Sequence, residues 1–184
     1  MKIILISGKA QHGKDTFAKM LKEQFEQKNN QVKIIHFGDV LKFICEKYYN
    51  WNGKKDVVGR TLLQYVGTEI VREKDEHFWT DFVGRLARTF ECDYVIIPDW
   101  RFIEEHTQML EYFDDKDIIT LRIERYENFS EGIKYINPIM TEEQLLHRSE
   151  IELDNYYVDY IIVNETLENL TETADFIVHE MEEN

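Results

Sequence analysis

Cysteine and proline are scarce in this chain. There are two of each among 184 residues, Cys45 and Cys92 far apart and Pro98 and Pro138 well inside the sequence. That excludes a disulfide-stapled scaffold and a cysteine-ligated zinc site. Both thiols sit among apolar residues read as helical, which favours reduced, structural cysteines and a cytoplasmic location. No apolar run approaches the ~20 residues of a membrane span. The N-terminal apolar stretch is too short for a secretory signal. Asn128, Asn164 and Asn169 open glycosylation-type triplets, which carry no weight without an export signal. His36 and His147 have no metal-ligand partners in sequence, so no zinc is inferred. Repeats and low-complexity tracts are absent, and a single soluble domain over residues 1–184 is expected.

Positive charge is short as well. The net charge is −14, and it is unevenly spread. Residues 1–100 hold 16 Lys/Arg against 14 Asp/Glu, whereas residues 101–184 hold 6 against 22. A surface for duplex nucleic acid needs many phosphate-neutralising cations, so that partner is excluded. A small single-strand channel is left open. In the acidic half, Arg101, Arg122, Arg125 and Arg148 are conspicuous. Arginine is the preferred multidentate partner of phosphate. The alternative is pairing with local carboxylates.

What is present begins at the N-terminus. The run Ile3-Ile4-Leu5-Ile6 meets Ser7-Gly8-Lys9-Ala10-Gln11-His12-Gly13-Lys14-Asp15-Thr16. This reads as a buried strand, a loop of pattern G-x-x-x-x-G-K, and a helix. Glycines let backbone N–H groups turn inward around phosphate oxygens, the helix N-terminus adds partial positive charge, and Lys14 reaches the outer phosphates. A nucleoside triphosphate is therefore the expected ligand, held by Gly8, His12, Gly13, Lys14, Asp15 and Thr16. The His12 side chain is expected to face solvent. Asp15 stands where Ser or Thr usually follows the lysine and supplies a magnesium ligand. Either Thr16 or Asp15 could serve the metal, the latter directly or through water.

Five apolar runs read as strands: Lys2–Ser7, Val32–Phe37, Tyr94–Pro98, Ile118–Ile123 and Tyr160–Val163. Their nearly continuous β-branched character suits a parallel sheet buried on both faces. Helical stripes lie between them, among them Phe17/Leu21/Phe25, Leu62/Val66/Ile70, Trp79/Val83/Leu86 and Leu170/Ala174/Ile177. Thr141-x-x-Gln144 reads as a capping box. Strands alternating with helices predict a doubly wound α/β fold around a five-stranded parallel sheet.

Ligands in such sheets bind beyond the carboxyl ends of the strands. Those ends carry the phosphate loop, then His36-Phe37-Gly38-Asp39, then Pro98-Asp99-Trp100-Arg101, then Arg122-Ile-Glu-Arg125. Two excursions break the alternation. Residues 39–91 carry Lys42, Arg60, Gln64, Arg72, Arg85 and Arg88, suited to a second substrate. Residues 126–140 are short and contain glycine and proline, suited to a lid that excludes water. Asp99 is a Walker-B-like candidate for holding magnesium through water. It could instead take the acceptor's proton, pair with Arg101, or cap the helix that follows it.

These residues together resemble the nucleoside monophosphate kinase group of phosphate-loop proteins, and within it the bacteriophage-type deoxynucleoside monophosphate kinases. The resemblance rests on Gly13-Lys14-Asp15-Thr16-Phe17-Ala18, Phe37-Gly38-Asp39-Val40-Leu41-Lys42 and the block from Gly59-Arg60 through Gln64 to Thr68-Glu69. It continues in Phe78-Trp79, Pro98-Asp99-Trp100-Arg101, His147-Arg148-Ser149-Glu150 and Asp159 to Asn164. It implies transfer of the γ-phosphoryl of ATP, with magnesium, to a (deoxy)nucleoside monophosphate. By the same resemblance Lys42 grips the acceptor phosphate and Arg60 and Arg101 are acceptor or transition-state ligands. Arg125 is implied at the lid entrance with Arg148 beyond it, and Asn164 on the triphosphate side. Asp39, Gln64, Glu69 and Trp79 fall on the acceptor side, where Tyr65 and Trp100 could also read the base. Burial is the simpler account of Trp79, whose spacing fits a helix stripe.

The catalytic set expected is thus Lys14, Asp99, Arg101, Arg125 and Arg148, with Asp15, Thr16 and Asp99 toward the metal. Phosphoryl transfer needs positioning and charge neutralisation more than covalent help, which suits this set. Two alternatives share the loop and sheet: a kinase of another small phosphorylated metabolite, of mevalonate-phosphate or coenzyme-precursor type, and a nucleotide-binding switch protein. A homodimer is compatible with the composition.

Overall fold

The computed structural model describes residues 1–183. The first element, β1 (Lys2–Ser7), is followed by α1 (Lys14–Gln27), β2 (Val32–Ile34), α2 (Gly38–Tyr48) and α3 (Val57–Gln64). α3 runs on into a π-helical turn over Tyr65–Arg72, then α4 (Phe78–Ala87), β3 (Tyr94–Ile97) and α5 (Ile103–Met109) follow. The remainder is β4 (Ile118–Asn128), β5 (Ile133–Lys134), α6 (Glu142–Leu145), α7 (Arg148–Ile151), β6 (Tyr160–Asn164) and α8 (Leu167–Glu183).

Five strands form a parallel sheet in the order β2-β3-β1-β4-β6. Ile4 lies opposite Ile96 on one side and Ile119 on the other, so β1 is central. Its alternate side chains enter two cores. Ile4 and Ile6 pack with Phe17, Leu21 and Phe25 of α1 and with Leu170, Ala174 and Ile177 of α8. Ile3 and Leu5 pack on the opposite face with Val83 and Ala87 of α4 and Met109 of α5. This two-sided burial is why the strand reads as an unbroken apolar run. A third apolar cluster, Cys45, Trp51 and Val66 with Leu41, Ile44, Leu62, Leu63 and Ile70, lies within residues 39–91.

The structure departs from the sequence reading by one residue at the ends of β3 (Ile97 rather than Pro98) and β6 (Asn164 rather than Val163), and further elsewhere. β2 ends at Ile34 rather than Phe37. β4 continues to Asn128 and pairs antiparallel with β5, so the segment after Arg125 opens as a hairpin. Cys92 lies in the turn before β3, half-buried, rather than in a helix, while Cys45 is buried in α2. The capping box is present: Thr141 Oγ1 accepts the Gln144 N–H at 3.2 Å, and Gln144 Oε1 accepts the Thr141 N–H at 3.2 Å. No helix among the described residues is long and apolar enough to cross a membrane.

Candidate active site

The loop between β1 and α1 can be built only with its glycines. Gly8 has φ +140° and Gly13 φ +100°. A Cβ on Gly8 would fall 2.4 Å from the Ile123 carbonyl oxygen, and one on Gly13 2.6 Å from Asn164 Nδ2. Both positions therefore demand the residue without a side chain. Asn164, at the end of β6, donates its amide N–H to the His12 carbonyl at 2.9 Å and ties the loop to the sheet edge.

His12 does not face solvent. The residue is 2% exposed, and its ring lies within hydrogen-bond distance of the carbonyls of Ile123 (3.3 Å) and Tyr135 (3.1 Å). Burial lowers its pKa. The imidazole thus bridges the loop to β4 and the hairpin beyond it. Only its backbone is left to contact a phosphate.

Lys14 folds back over the loop. Its ammonium donates to the Gly8 carbonyl at 2.6 Å and the Lys9 carbonyl at 2.8 Å. Burial pushes its pKa well below the ordinary lysine value; Arg101 adds to this and Glu150, Asp15 and Asp99 oppose it. Asp15 and Thr16 begin α1. They line a groove of about 410 Å³ with Gln11, Gly13, Arg125, Asn164 and Leu167. Asp15 Oδ1 lies 3.0 Å from His36 Nε2, and that bond draws its pKa from 3.8 to about 2. Arg125 stacks on Tyr135, 4.3 Å from the ring centroid, and donates to the Gln11 carbonyl at 3.3 Å.

A second cleft, of about 200 Å³, lies between residues 37–79, 99–105 and 149–150. Phe37, Leu41, Leu63, Trp79 and Phe102 supply apolar wall, and Lys42, Lys55, Arg60 and Arg101 supply cations. Gln64, Thr68, Arg72 and Glu105 add polar groups. Trp79 is 3% exposed and donates its indole N–H to the Gly67 carbonyl at 3.1 Å, so it is a core residue with one edge on the cleft. Arg72 is buried, paired with Glu105 at 2.7 Å and Glu104 at 3.0 Å, its guanidinium 3.9 Å from the Phe102 ring centroid. Its Nε has no partner among the described residues. Burial raises the Glu105 carboxyl to about 7, against the pull of Arg72.

Asp99 serves the start of α2, which precedes it by 61 positions of chain. Its Oδ1 accepts the Phe37 N–H and its Oδ2 the Gly38 N–H, both at 2.9 Å. The following helix, α5, is capped by Glu105 instead, whose Oε2 accepts the N–H groups of Arg101 (2.8 Å) and Phe102 (3.2 Å). Asp99 also lines the cleft beside Gly38.

Other expected residues lie outside the cleft lining. Asp39 pairs with Lys42 at 2.9 Å and with His36 at 3.3 Å. Glu69 pairs with His147 at 3.1 Å. Tyr65 is exposed. Trp100 offers no face to a ligand: it is fully buried and donates to the Phe102 carbonyl at 2.7 Å, which removes it from base reading. Arg148 pairs with Glu104 at 3.1 Å and also with Glu152. Arg122 is held by the carbonyls of Leu153, Asp154 and Tyr156, so local pairing accounts for it.

A third hollow, of about 330 Å³, lies between the loop and the residues from Ser149 to Asn155. Arg101, Ser149 and Glu150 line both this hollow and the cleft. Glu150 stands in the His147-Arg148-Ser149-Glu150 stretch, but nothing in the sequence gives it a role. Its carboxylate binds Arg101 Nη1 at 2.8 Å and accepts the Ala10 N–H at 3.1 Å. It links the phosphate loop to Arg101 across 140 positions of chain, and no spacing pattern announces such a contact.

No protein-family model matches this chain, and no curated protein matches it in sequence. Its fold does match solved structures. A gluconokinase from Sinorhizobium meliloti 1021 superposes with TM-score 0.56 at 14% identity, over 100% of this chain and 94% of that one. The Mycobacterium tuberculosis APS kinase in complex with AMPPNP and APS gives 0.53 at 10% identity, over 98% and 97%. The shikimate kinase from Bacteroides thetaiotaomicron gives 0.50 at 15% identity, over 100% and 99%. The chain has the fold of these kinases.

Proposed function

We propose that this chain transfers the γ-phosphoryl of ATP to a (deoxy)nucleoside monophosphate. One observation carries the reading. A cleft with aromatic and aliphatic walls and five cations shares Arg101 with a hollow that Gly8, Lys9 and His12 of the glycine-lysine loop also line. Flat apolar walls suit a base, and the cations suit the phosphate of the same molecule. A nucleotide-binding switch has no use for a second anion site.

In this reading the groove lined by Arg125, Asn164 and Leu167 takes the ATP nucleoside. The loop N–H groups hold its β-phosphate. Lys14 leaves the Gly8 and Lys9 carbonyls for the phosphates. Lys42 and Arg60 hold the acceptor phosphate, and Arg101 stands between donor and acceptor. Residues 39–91 form the acceptor side and residues 126–140 the lid, and the protein works in the cytoplasm.

Magnesium fits the donor set. Hard oxygens from Asp15 and Thr16 open on the groove, and magnesium takes one or two protein oxygens with the rest from phosphate and water. Asp99 would reach it through water. When bound, the ion neutralises charge on the triphosphate.

The comparisons support a second reading, since the similar solved structures include kinases named for a sugar acid and for shikimate. One assay separates the two. The protein is incubated with ATP, magnesium and either a panel of nucleoside monophosphates or non-nucleotide acceptors that include a sugar acid and shikimate, and ADP and the phosphorylated acceptors are measured. Stoichiometric diphosphate and ADP are expected. Turnover confined to a non-nucleotide acceptor would replace this reading by the second, and ATP loss without any phosphorylated product other than inorganic phosphate would favour the switch protein.

A further inference from the structure

We propose that Glu150 is the positioning residue that holds the Arg101 guanidinium over the phosphate loop; this rests on the phosphotransfer reading of the same site. The Glu150 side chain is 6% exposed. One carboxylate oxygen takes Arg101 Nη1 and the other takes the Ala10 N–H, so a single buried group fixes the arginine relative to the loop. The Ser149 carbonyl accepts from the same Nη1 at 3.3 Å. Both of these contacts are made by Nη1, which leaves the rest of the guanidinium to be offered to phosphoryl oxygens. An arginine has roughly 2 kcal/mol of rotamer entropy to lose on engaging an anion. Holding one nitrogen in advance removes much of that loss at the moment of transfer.

The support beneath Glu150 is itself fixed. α7 is tied by His147 to Glu69, by Arg148 to Glu104, and by Lys9, which donates to the Glu150 carbonyl and pairs with Asp154. Burial opposes the charge on Glu150, but Arg101 and Lys14 outweigh it and keep the carboxyl below its ordinary value. The group is therefore an anion wedged between cations. Its neutralisation changes the orientation of Arg101 without altering the loop sequence.

The alternative is that this carboxylate competes with phosphate for Arg101 and restrains the enzyme. The two make opposite predictions for Glu150→Gln. Two measurements are made on the wild type, Glu150→Gln, Arg101→Ala and the double variant. One is kcat with KM for ATP and acceptor. The other is tripolyphosphate affinity by titration calorimetry, which needs no turnover. A positioning role lowers kcat of Glu150→Gln by about thirtyfold and leaves KM for ATP within about threefold. Tripolyphosphate binds about fivefold more weakly, as expected for a lost charge-assisted orientation. In both measurements the double variant is no worse than Arg101→Ala, because Glu150 acts through Arg101. Glu150→Asp restores part of kcat.

Additive losses, or a lower melting temperature with unchanged kcat, overturn the proposal. A faster or tighter-binding Glu150→Gln overturns it in favour of competition. Should Glu150→Gln fail to fold, Glu150→Asp enters the same cycle. Absence of turnover with the tripolyphosphate coupling intact refutes the kinase reading and leaves the positioning role standing. Turnover with additive losses refutes the positioning role alone, and neither turnover nor tripolyphosphate binding refutes both.

Discussion

Asp99 and Gly38 are joined by a hydrogen bond of 2.9 Å from the glycine N–H to the carboxylate, so a residue just beyond β3 fixes the first turn of α2. The other oxygen holds the Phe37 N–H in the same way. A residue that looks like a metal or proton handler is therefore also a cap.

The two roles separate by measurement. Asp99→Ala removes the acceptor of two backbone N–H groups, and losing a cap costs about 1–2 kcal/mol. Urea unfolding is expected to show that loss together with a drop in turnover. A turnover defect with unchanged stability would mean that the carboxylate serves only the metal.

Lys14 gives the reverse pattern. Its folded pKa lies below its unfolded one, so the charged ammonium opposes folding at neutral pH, and the penalty fades as pH rises through the folded value. Lys14→Met should therefore fold at least as stably as the wild type at pH 7 while transfer falls by a factor of 1000 or more, roughly the scale of losing one preorganised charge at the reacting phosphoryl. Thermal melting and a coupled ADP assay check the two halves.

His36 makes stability depend on pH. Bonding to Asp15 raises its pKa above 6.5, against burial. A base raised on folding adds stability that is complete below 6.5 and lost as pH climbs through the folded value. Asp15 works in the other direction: its stabilisation is present above 3.8 and lost as pH falls toward about 2. Denaturant unfolding between pH 5 and pH 9 should show the wild type losing stability at the alkaline end relative to His36→Gln. Parallel curves for the two proteins would refute the pairing.

Gln144 clasps the exit from the hairpin to α3. Its side-chain amide N–H groups reach the Val57 carbonyl at 2.8 Å and Thr61 Oγ1 at 2.9 Å, and its backbone carbonyl accepts from Gln64 Nε2 at 3.3 Å. The side chain is buried, so Gln144→Ala leaves those acceptors unmet and should destabilise by about 1–3 kcal/mol. Hydrogen exchange over residues 141–149 should rise before the sheet is affected. Unchanged protection there would show that the clasp is idle.

The sheet is legible in the sequence because strands buried on both faces are written as apolar runs. The run Val32–Phe37 misleads at its end. Ile35 still donates to the Ile96 carbonyl, but Phe37 and Gly38 are drawn away by Asp99. The overrun of β4 is hidden for the opposite reason, since Glu124, Tyr126 and Lys134 interact across the hairpin and carry no apolar signal. The π-helical turn after Gln64 leaves the apolar stripe of Leu62, Val66 and Ile70 unchanged, so periodicity cannot reveal it. The phosphate loop is legible because its requirements are local: two positive-φ glycines and a lysine within seven residues. The Arg72–Glu105 and Arg101–Glu150 pairs, and the buried ring of His12, depend on partners that only folding brings together.

The apolar cluster of Cys45, Trp51 and Val66 lies apart from both cores that flank the sheet. Selection can therefore rewrite that patch without disturbing the framework beneath the loop. A change confined to that patch would reshape the cleft wall where Leu41 and Leu63 stand, while the strands and the loop keep their own packing.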